Sequence, residues 1–300
     1  MELVATIIAG NGAKLLDSLV TDLAKTAAAA KSGRIEWLAK GEAADIFAEG
    51  LKADEWRRDL QAEIGGQPFD VIVQPAAGRR KKFLAADMES TIIEQELLDE
   101  LAGEIGVRDK VAAITARAMN GEIDFAGALR ERMGLFAGRP DSILEKAAKL
   151  ITIMPGAATL VATMKAHGAK AWLITGGFSY FANPVALMLG FDKSYANQLI
   201  VRNGAITGEA GEPILDRMRK KALLEQACSE LKLSLSETVS VGDGANDVPM
   251  LNASNAGSGL GIAYHARPKV RAEVPNHINH ADLTALLYAQ GYKKEELAAA

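Results

Sequence analysis

Three short apolar segments of the chain each run directly into a cluster of polar residues. The segments FLAA, AKAWLI and TVSV lead into DMEST (87–91), TGGF (175–178) and GDGAND (242–247). Helical patterns alternate with strand patterns after Pro155, and such alternation predicts a parallel sheet with helices on both faces. Because the carboxyl ends of parallel strands share one edge of the sheet, we expect the three polar clusters to form one site.

The same patterns predict how the chain divides into units. Between 93 and 154 they are helical alone, which makes this stretch an insertion after the first core strand, and QPAAGRRKK has the composition of a linker. The predicted units are a small α/β domain (1–75), a linker (76–82), an α/β core (83–92 and 155–290), a helical cap (93–154) and a tail (291–300).

The individual elements follow from hydrophobic periodicity and turn residues. In the first unit the patterns predict strands at 3–8, 34–38 and 69–75 and helices at 13–30 and 42–64. In the core they predict, besides FLAA, strands at 169–175, 198–209, 238–243 and 257–264 and helices at 156–167, 180–189, 213–232 and 245–252.

Composition excludes several classes of protein. A net charge of −4 and a pI near 5.7 argue against nucleic acid or an anionic membrane as the main partner. The sequence contains no apolar stretch near the roughly 20 residues of a membrane helix, and Glu2 stands where a signal peptide would be basic. Cys228 is the single cysteine, which favours a reducing, cytoplasmic location. We expect a monomer or a homodimer.

The residue types at the predicted edge indicate phosphoryl transfer. Several carboxylates without a set of His or Cys ligands favour a hard cation, Mg²⁺ over Zn²⁺. The glycines of TGGF let backbone N–H groups approach an anion, and the basic run RMRKK (217–221) precedes the GDGAND strand. A cation, N–H donors, a hydroxyl, a lysine and a free carboxylate together describe transfer through an aspartyl-phosphate.

DMEST, TGGF, Lys220 and GDGAND resemble the four ordered motifs of the haloacid dehalogenase superfamily. Within it, residues 83–290 are similar to the phosphoserine phosphatases, as MNGEIDFAGALRER, LIVRNGAITGE and GLGIAYHARPKV indicate. The resemblance implies a Mg²⁺-dependent enzyme that hydrolyses phosphoserine in the last step of serine biosynthesis. Residues 1–75 resemble the ACT-like, amino-acid-binding extension of longer bacterial members, which implies serine as a ligand there.

The resemblance assigns roles to residues of the three clusters. Asp87 is the expected nucleophile and a Mg²⁺ ligand, with Asp243 as the second carboxylate ligand. Asp247 supports the metal or, alternatively, is a structural turn residue. Lys220 offsets charge and is preferred over Lys221 because its spacing to Asp243 matches the family. The expected phosphate contacts come from the TGGF turn and the GDGAND loop: Thr175, Gly176, Gly177 and Asn246.

The resemblance also assigns the groups that choose the substrate. Glu96 matches the family's ammonium-binding Glu, and Arg132 matches the Arg that binds the substrate carboxylate. Met119 and Phe125 match apolar residues of the lid. Taken alone, GEIDFAGALRER is an amphipathic helix whose side chains would equally serve the core or surface ion pairs.

Glu89 departs from the family pattern, which usually has Asp at this position. There the side chain protonates the leaving oxygen and then activates water, while the backbone C=O binds Mg²⁺. The backbone role survives any side chain, whereas the acid–base role needs hydrogen-bond reach, and Glu is one methylene longer. We expect an active enzyme that accommodates the longer acid. Glu94 is expected to be a solvated helix residue.

Two other functions stay open at this stage. One is a phosphatase or phosphotransferase for another small phosphomonoester such as phosphothreonine, and the other is a catalytically weak sensor that binds serine through the first unit. Other features indicate less. GSGLG (257–261) lacks the strand–GxGxxG–helix context of a dinucleotide loop, and His277 and His280 are interpreted as part of a solvated turn.

Overall fold

Two main sheets organise the part of the chain that the computed structural model describes, residues 1–27, 31–119 and 122–299. The first sheet is antiparallel, with the order β2-β3-β1-β4. Its strands are β1 (Glu2–Ala9), β2 (Lys31–Ala39), β3 (Ala43–Glu49) and β4 (Phe69–Pro75). Helices α1 (Asp17–Lys25) and α2 (Ala53–Ile64) pack on one face, where Val20, Leu23, Trp56 and Leu60 are buried against the strands.

The prediction of one helix over 42–64 is wrong, because its first part is strand β3. Three alanines and a glutamate make AADIFAE a fair helix former by propensity, but β3 lies between β1 and β2 and all of its residues except Glu49 are buried. Burial on both faces of a central strand overrides the local preference. The helix predicted over 13–30 is shorter, and 28–30 lie outside the described residues.

A helical insertion follows the first strand of the second sheet. It is formed by α3 (Leu97–Glu104), α4 (Arg108–Met119), α5 (Phe125–Gly134) and α6 (Ser142–Ala148). Its two ends meet in an antiparallel bridge between Ile93 and Ile153, and Glu94 N–H donates to Thr152 O at 3.0 Å. The insertion therefore leaves and re-enters the core at one place.

The second sheet is parallel throughout, as predicted. Its order is β12-β11-β10-β5-β6-β7. The strands are β5 (Phe83–Ala86), β6 (Lys170–Phe178), β7 (Lys193–Asn197), β10 (Thr238–Gly242), β11 (Leu260–Tyr264) and β12 (Asn276–Ile278). The strand predicted over 198–209 is wrong as a core strand: it is a separate hairpin of β8 (Leu199–Arg202) and β9 (Ala205–Ala210). Its turn, Asn203–Gly204, has both φ angles positive, 51° and 74°, which is the geometry that an Asn-Gly hairpin turn favours.

Helices cover both faces of this parallel sheet, which confirms the doubly wound α/β fold. On one face α7 (Ala157–Ala166), α8 (Ser179–Leu189) and α12 (Ala285–Ala289) pack against Leu84 and Leu173. On the other, α9 (Arg217–Leu231), α10 (Val248–Ala256) and α11 (Pro268–Glu273) pack against Phe83 and Trp172. No helix in the described ranges is long and apolar enough to cross a membrane.

The second face of the antiparallel sheet packs on the parallel core. Ile8 and Ile72 share one hydrophobic cluster with Leu286. At its edge Asp70, which is buried, accepts hydrogen bonds from three consecutive backbone N–H groups, those of 279–281, at 2.7, 3.0 and 2.9 Å. Within the predicted tail Tyr292 is buried and Ala298 N–H donates to Thr163 Oγ1 at 2.8 Å. The two sheets thus share one continuous interior.

Candidate active site

The three polar clusters meet at the carboxyl edge of the parallel sheet, as expected. Asp87 follows β5, Asp243 follows β10, and Thr175 lies near the end of β6. In the sheet β5 lies between β10 and β6. Asp87 N–H donates to Val241 O at 3.0 Å and so extends the pairing between β5 and β10 by one residue. The nucleophile candidate is therefore held by the sheet itself, although its side chain lies beyond the strand.

Lys220 lies at the centre of the acidic cluster. It is fully buried on the first turn of α9, and its Nζ donates to Asp87 Oδ1 at 2.5 Å and to Asp247 Oδ1 at 2.6 Å. Burial alone would lower the pKa of Lys220, but the carboxylates of Asp247 and Asp87 raise it above its ordinary value, so the amine stays charged. Lys221 points elsewhere: it pairs with Glu225 at 3.5 Å on the partly exposed side of the helix.

Asp87, Asp243 and Asp247 can offer oxygens to one cation. One carboxylate oxygen from each lies within 4.8 Å of the others. Burial, together with the charges of Asp87 and Asp247, raises the pKa of Asp243 to about 8, and burial with Asp87 raises that of Asp247 to about 7 in spite of its pairing with Lys220. Asp87 and Asp247 are buried and Asp243 is half-buried. Three neighbouring carboxyls that repel one another and offer only oxygen donors fit a hard divalent cation.

Two glycines in the GDGAND loop make room for this arrangement. A Cβ on Gly242 would lie 2.4 Å from the carboxyl carbon of Asp247, and a Cβ on Gly244 would lie 2.2 Å from Asn246 Oδ1. Gly244 N–H also donates to Asp247 Oδ2 at 3.1 Å. The loop therefore folds its own side chains back over glycine backbone, which places Asn246 and Asp247 next to the strand end.

The TGGF segment forms a bulge inside β6. Ile174 pairs with Tyr195 and Phe178 with Asn197, so four steps along β6 match two steps along β7 and Thr175–Gly177 leave the ladder. Thr175 is buried, and its Oγ1 accepts a hydrogen bond from Gly177 N–H at 2.9 Å. A bulge of this kind re-aims a strand at a functional edge, and here it turns two glycine peptides and a hydroxyl out of the ladder with β7.

Glu89 reaches from the core into the insertion. Its Oε1 accepts a hydrogen bond from Leu97 N–H, at the start of α3, at 2.9 Å, and its Oε2 lies 2.7 Å from the point that a Cβ on Gly177 would occupy. Burial, together with the charge of Glu96, raises the pKa of Glu89 to about 8. The extra methylene is thus accommodated by a glycine that leaves space and by a helix terminus that supplies a donor.

The insertion contributes the residues expected to choose the substrate. Phe125 lies over the bulge, with its Cζ 3.0 Å from where a Cβ on Gly176 would be. Burial lowers the pKa of Arg132, whereas the carboxyls of Glu89, Asp99 and Glu96 act in the opposite sense, so the guanidinium faces this acidic group. Arg132 Nε donates to Ala128 O at 3.3 Å.

Glu96 lies at the opening of the same site and accepts a hydrogen bond from Ser90 Oγ at 2.7 Å. Ser90 has a left-handed backbone, φ 53°, which is uncommon for a residue with a side chain and is typical of functional turns. Glu94 is exposed as expected, but it lies in a bend before α3 and not in a helix. The side chain of Met119 lies outside the described residues.

Comparison with known proteins identifies the family. The model of haloacid dehalogenase-like hydrolases matches residues 81–255, which is more than half of the chain. The chain belongs to the haloacid dehalogenase-like hydrolase family. The match confirms the resemblance of the four motifs and covers the acidic clusters and the insertion alike.

Relatives within this hydrolase family are phosphoserine phosphatases. That of Lactococcus lactis is 43% identical over 207 residues, which is 69% of this chain and 94% of the relative. That of Haemophilus influenzae is 38% identical over 80% of this chain and 73% of its own length. A solved hydrolase of the family from Salmonella enterica serovar Typhi has a TM-score of 0.84 at 28% identity, over 96% of this chain and 98% of that one. A phosphoserine phosphatase solved as a phospho-aspartyl intermediate analogue has a TM-score of 0.65 at 35% identity, over 72% of this chain and 100% of that one.

One residue of this hydrolase that sequence reasoning missed is Asn197. It is buried at the end of β7, donates to Gly176 O and accepts from Leu215 N–H, both at 2.7 Å. A single Asn at a strand end carries no spacing signal, and β7 itself was not predicted. The register that brings Asn197 beside the bulge becomes visible only in the assembled sheet.

Proposed function

We propose that this hydrolase converts O-phospho-L-serine to L-serine and phosphate through phospho-Asp87, in the last step of serine biosynthesis. The observation that carries the proposal is the meeting of Asp87, Lys220, Asp243 and the Thr175–Gly177 bulge at one sheet edge beneath the insertion. The names of the relatives support phosphoserine as the substrate.

In the first step a carboxylate oxygen of Asp87 attacks phosphorus, and the bond from phosphorus to the serine oxygen breaks. That oxygen takes its proton from the Glu89 carboxyl, whose pKa of about 8 keeps it protonated near neutral pH. Lys220, Thr175 Oγ1 and the amides of Gly176 and Gly177 offset the charge on the phosphoryl oxygens. The products of this step are L-serine and phospho-Asp87.

In the second step water is deprotonated by the Glu89 carboxylate and attacks phospho-Asp87. The acyl-phosphate bond from Asp87 to phosphorus breaks, inorganic phosphate leaves and Glu89 is protonated again. The insertion excludes bulk water while the phosphoryl group is transferred. One acid group therefore serves both steps, because each step leaves it in the protonation state that the other needs.

Asp87, Asp243 and the backbone C=O of Glu89 are proposed to hold Mg²⁺, with Asp247 supporting them through water or hydrogen bonds. When bound, Mg²⁺ supplies positive charge that lets the carboxylate approach a phosphate dianion. Glu96 is proposed to bind the substrate ammonium, Arg132 its carboxylate, and Phe125 and Met119 to cover it, while Asn246 assists the phosphate contacts.

Phosphate release from O-phospho-L-serine, measured with and without Mg²⁺ and after EDTA, tests the proposal. We expect Mg²⁺-dependent turnover that Asp87→Asn lowers by at least about 10³-fold, because the amide cannot act as the nucleophile. Lys221→Ala is the control, because it removes a charged side chain next to Lys220 that lies on the partly exposed side of α9, and it should retain activity. Activity retained by Asp87→Asn would overturn the mechanism, and faster turnover of phosphothreonine would overturn the substrate.

A further inference from the structure

A second hydrogen-bonding group at the site lies one layer behind the TGGF bulge. Asn197 is 2% exposed, and its side-chain amide spans two segments that are far apart in sequence. Its Nδ2 donates to Gly176 O at 2.7 Å and its Oδ1 accepts from Leu215 N–H at 2.7 Å. Both ends of the amide are thus used, and neither of its partners is a side chain.

The bond to Gly176 O replaces a lost ladder contact. Because Thr175–Gly177 bulge out between the paired residues Ile174 and Phe178, the carbonyl of Gly176 has no strand partner in the register with β7. Leaving this half-buried carbonyl without a partner would cost free energy. Asn197, which pairs with Phe178 on the neighbouring strand, supplies the missing donor from its side chain.

This bond also sets the direction of an N–H group. A trans peptide is planar, so the C=O of Gly176 and the N–H of Gly177 point in opposite directions. With the carbonyl fixed on Asn197, the N–H of Gly177 points away from β7 to Thr175 Oγ1, at 2.9 Å, on the face where phosphate is proposed to bind. The Asn197 side chain therefore sets the direction of the Gly177 N–H group, although it does not contact that group.

The other half of the Asn197 side chain reaches the segment that carries the lysine. Leu215 precedes Asp216, the N-cap of α9, whose side chain accepts from Arg219 N–H at 2.8 Å and whose C=O accepts from Lys220 N–H at 3.0 Å. Holding Leu215 fixes where α9 begins. Lys220 lies within the first turn of that helix, so the position of its Nζ depends on where the helix begins.

We propose that Asn197 is a positioning residue that sets the distance and orientation between the phosphate-binding amides and Lys220. The inference rests on the proposed role of Thr175–Gly177 in binding phosphate. It makes a distinct claim: the phosphate-binding bulge is oriented by one buried amide on the next strand, and a change there acts through Gly177 N–H and Lys220 without touching the substrate.

Two substitutions in the full-length, Mg²⁺-loaded protein separate the halves of this amide. Asn197→Asp keeps an acceptor for Leu215 N–H but removes the donor to Gly176 O, and Asn197→Ala removes both. Asn276→Asp is the matched control, because Asn276 is also buried, on the edge strand β12 across the same sheet, and donates to Asn255 Oδ1 at 3.1 Å. The readouts are kcat and KM for O-phospho-L-serine, Kd for inorganic phosphate by calorimetry, and Tm.

We expect Asn197→Asp to lower kcat by about 10- to 100-fold, the range for a residue that orients the groups in contact with the reaction, and to weaken inorganic phosphate by about 10-fold. Asn197→Ala should do at least as much, while Asn276→Asp changes both by less than about 3-fold even where its Tm falls equally. A lower Tm for Asn197→Asp with wild-type kcat and phosphate affinity would overturn the inference.

The two proposals fail in different ways. If the wild type does not hydrolyse phosphoserine but binds inorganic phosphate, the proposed function falls and the phosphate affinity of the Asn197 variants still decides the inference. If the wild type binds no phosphate, both fall. Should neither variant fold, NMR of the wild type decides: the Gly177 amide should shift on addition of phosphate while the Asn197 side-chain amide stays protected from exchange, and rapid exchange of that amide overturns the inference.

Discussion

At the scale of single residues, Glu89 shows how a longer acid fits a site whose family pattern has Asp. Its carboxyl is held between Leu97 N–H and the backbone of Gly177, where any Cβ would collide with Oε2. The acid is therefore oriented partly by the insertion and not by the core alone. The geometry supports a native arrangement in which Gly177, a proposed phosphate contact, also leaves space for the longer side chain.

We predict that Glu89→Gln lowers kcat for phosphoserine by about 10² to 10⁴, the usual contribution of a positioned acid–base group, with little change in KM. Glu89→Asp should lose about 10-fold, because the shorter side chain no longer reaches Leu97 N–H. Steady-state kinetics measure both, and Glu94→Gln, in the exposed bend, is the control. A faster Glu89→Asp enzyme would contradict the assignment of a native fit.

Sequence reasoning brought Asp87, Thr175 and Asp243 together because each was predicted at a strand end on the same edge of the sheet, whereas Lys220, Glu96 and Arg132 were assigned by the family resemblance. It missed what depends on register or burial. Asn197 acts through the pairing of β7 with β6, and the positive φ of Ser90 leaves no mark in the letters DMEST. Strand β3 was taken for helix because its burial comes from neighbours that only the fold supplies.

At the scale of elements, α5 brings Phe125 and Arg132 to the site from the insertion. Phe125 packs on the bulge through Gly176, and Arg132 lies on the same helix, two turns later, among the acidic groups. The residues proposed to act in phosphoryl transfer thus come from the core, and those proposed to select the substrate come from the insertion. Changes on α5 should therefore alter which substrate is used more than how fast phosphoryl transfer proceeds.

Arg132→Ala is expected to raise KM for phosphoserine by about 30- to 100-fold, since a charge-assisted bond to the carboxylate is worth about 2 to 3 kcal/mol. Phosphoethanolamine has no carboxylate, so its kcat/KM should change by less than about 3-fold. Arg130→Ala is the control, because Arg130 lies on the same helix as Arg132 and forms only an exposed ion pair with Glu212. Equal losses on both substrates would refute a role in selecting the carboxylate.

The segment between the sheets carries a second testable feature, a buried lysine. Lys81 Nζ donates to three carbonyls, those of Gly78 at 3.0 Å, Ser236 at 2.9 Å and Ser258 at 3.4 Å. Burial lowers the pKa of Lys81 to about 8. Carbonyl contacts hold the side chain in place but do not fully replace water around the charge.

Because the native pKa of Lys81 lies below the unfolded one, the unfolded chain binds the extra proton between about pH 8 and 10.5. The free energy of unfolding should then gain about 1 to 2 kcal/mol from this group between pH 8 and 9.5. Urea unfolding at each pH should show this gain in the wild type and in Lys82→Met, whose lysine is exposed, but not in Lys81→Met. Parallel curves for all three proteins would contradict it.

At the scale of the whole molecule, the antiparallel sheet is part of the same packed interior as the core. Ile8 and Ile72 lie in the cluster that contains Leu286, and Gln74 Nε2 donates to Ala289 O at 2.7 Å. Asp70 receives the three N–H groups of 279–281 at this junction. We therefore expect both sheets to unfold in one transition.

Asp70→Ala leaves three N–H groups without their acceptor and should lower the free energy of unfolding by about 2 to 4 kcal/mol. Asp54→Ala, which removes a largely exposed carboxylate paired with Arg57, should change it by less than about 1 kcal/mol. Urea unfolding followed by circular dichroism measures both. Two separate transitions in the wild type would show that the sheets are independent.

The bridge between Ile93 and Ile153 has a consequence for how such a chain can diversify. Since the insertion leaves and returns at adjacent backbone positions, with Met154 N–H donating to Ile92 O at 2.9 Å, the 60 or so residues between them form a closed appendix to the sheet. A different appendix could be exchanged at that junction without re-threading any core strand. Exchange of the insertion would change which substrates the protein accepts while leaving the core residues of phosphoryl transfer in place. A chimaera joined at this bridge is therefore the natural unit for redesign.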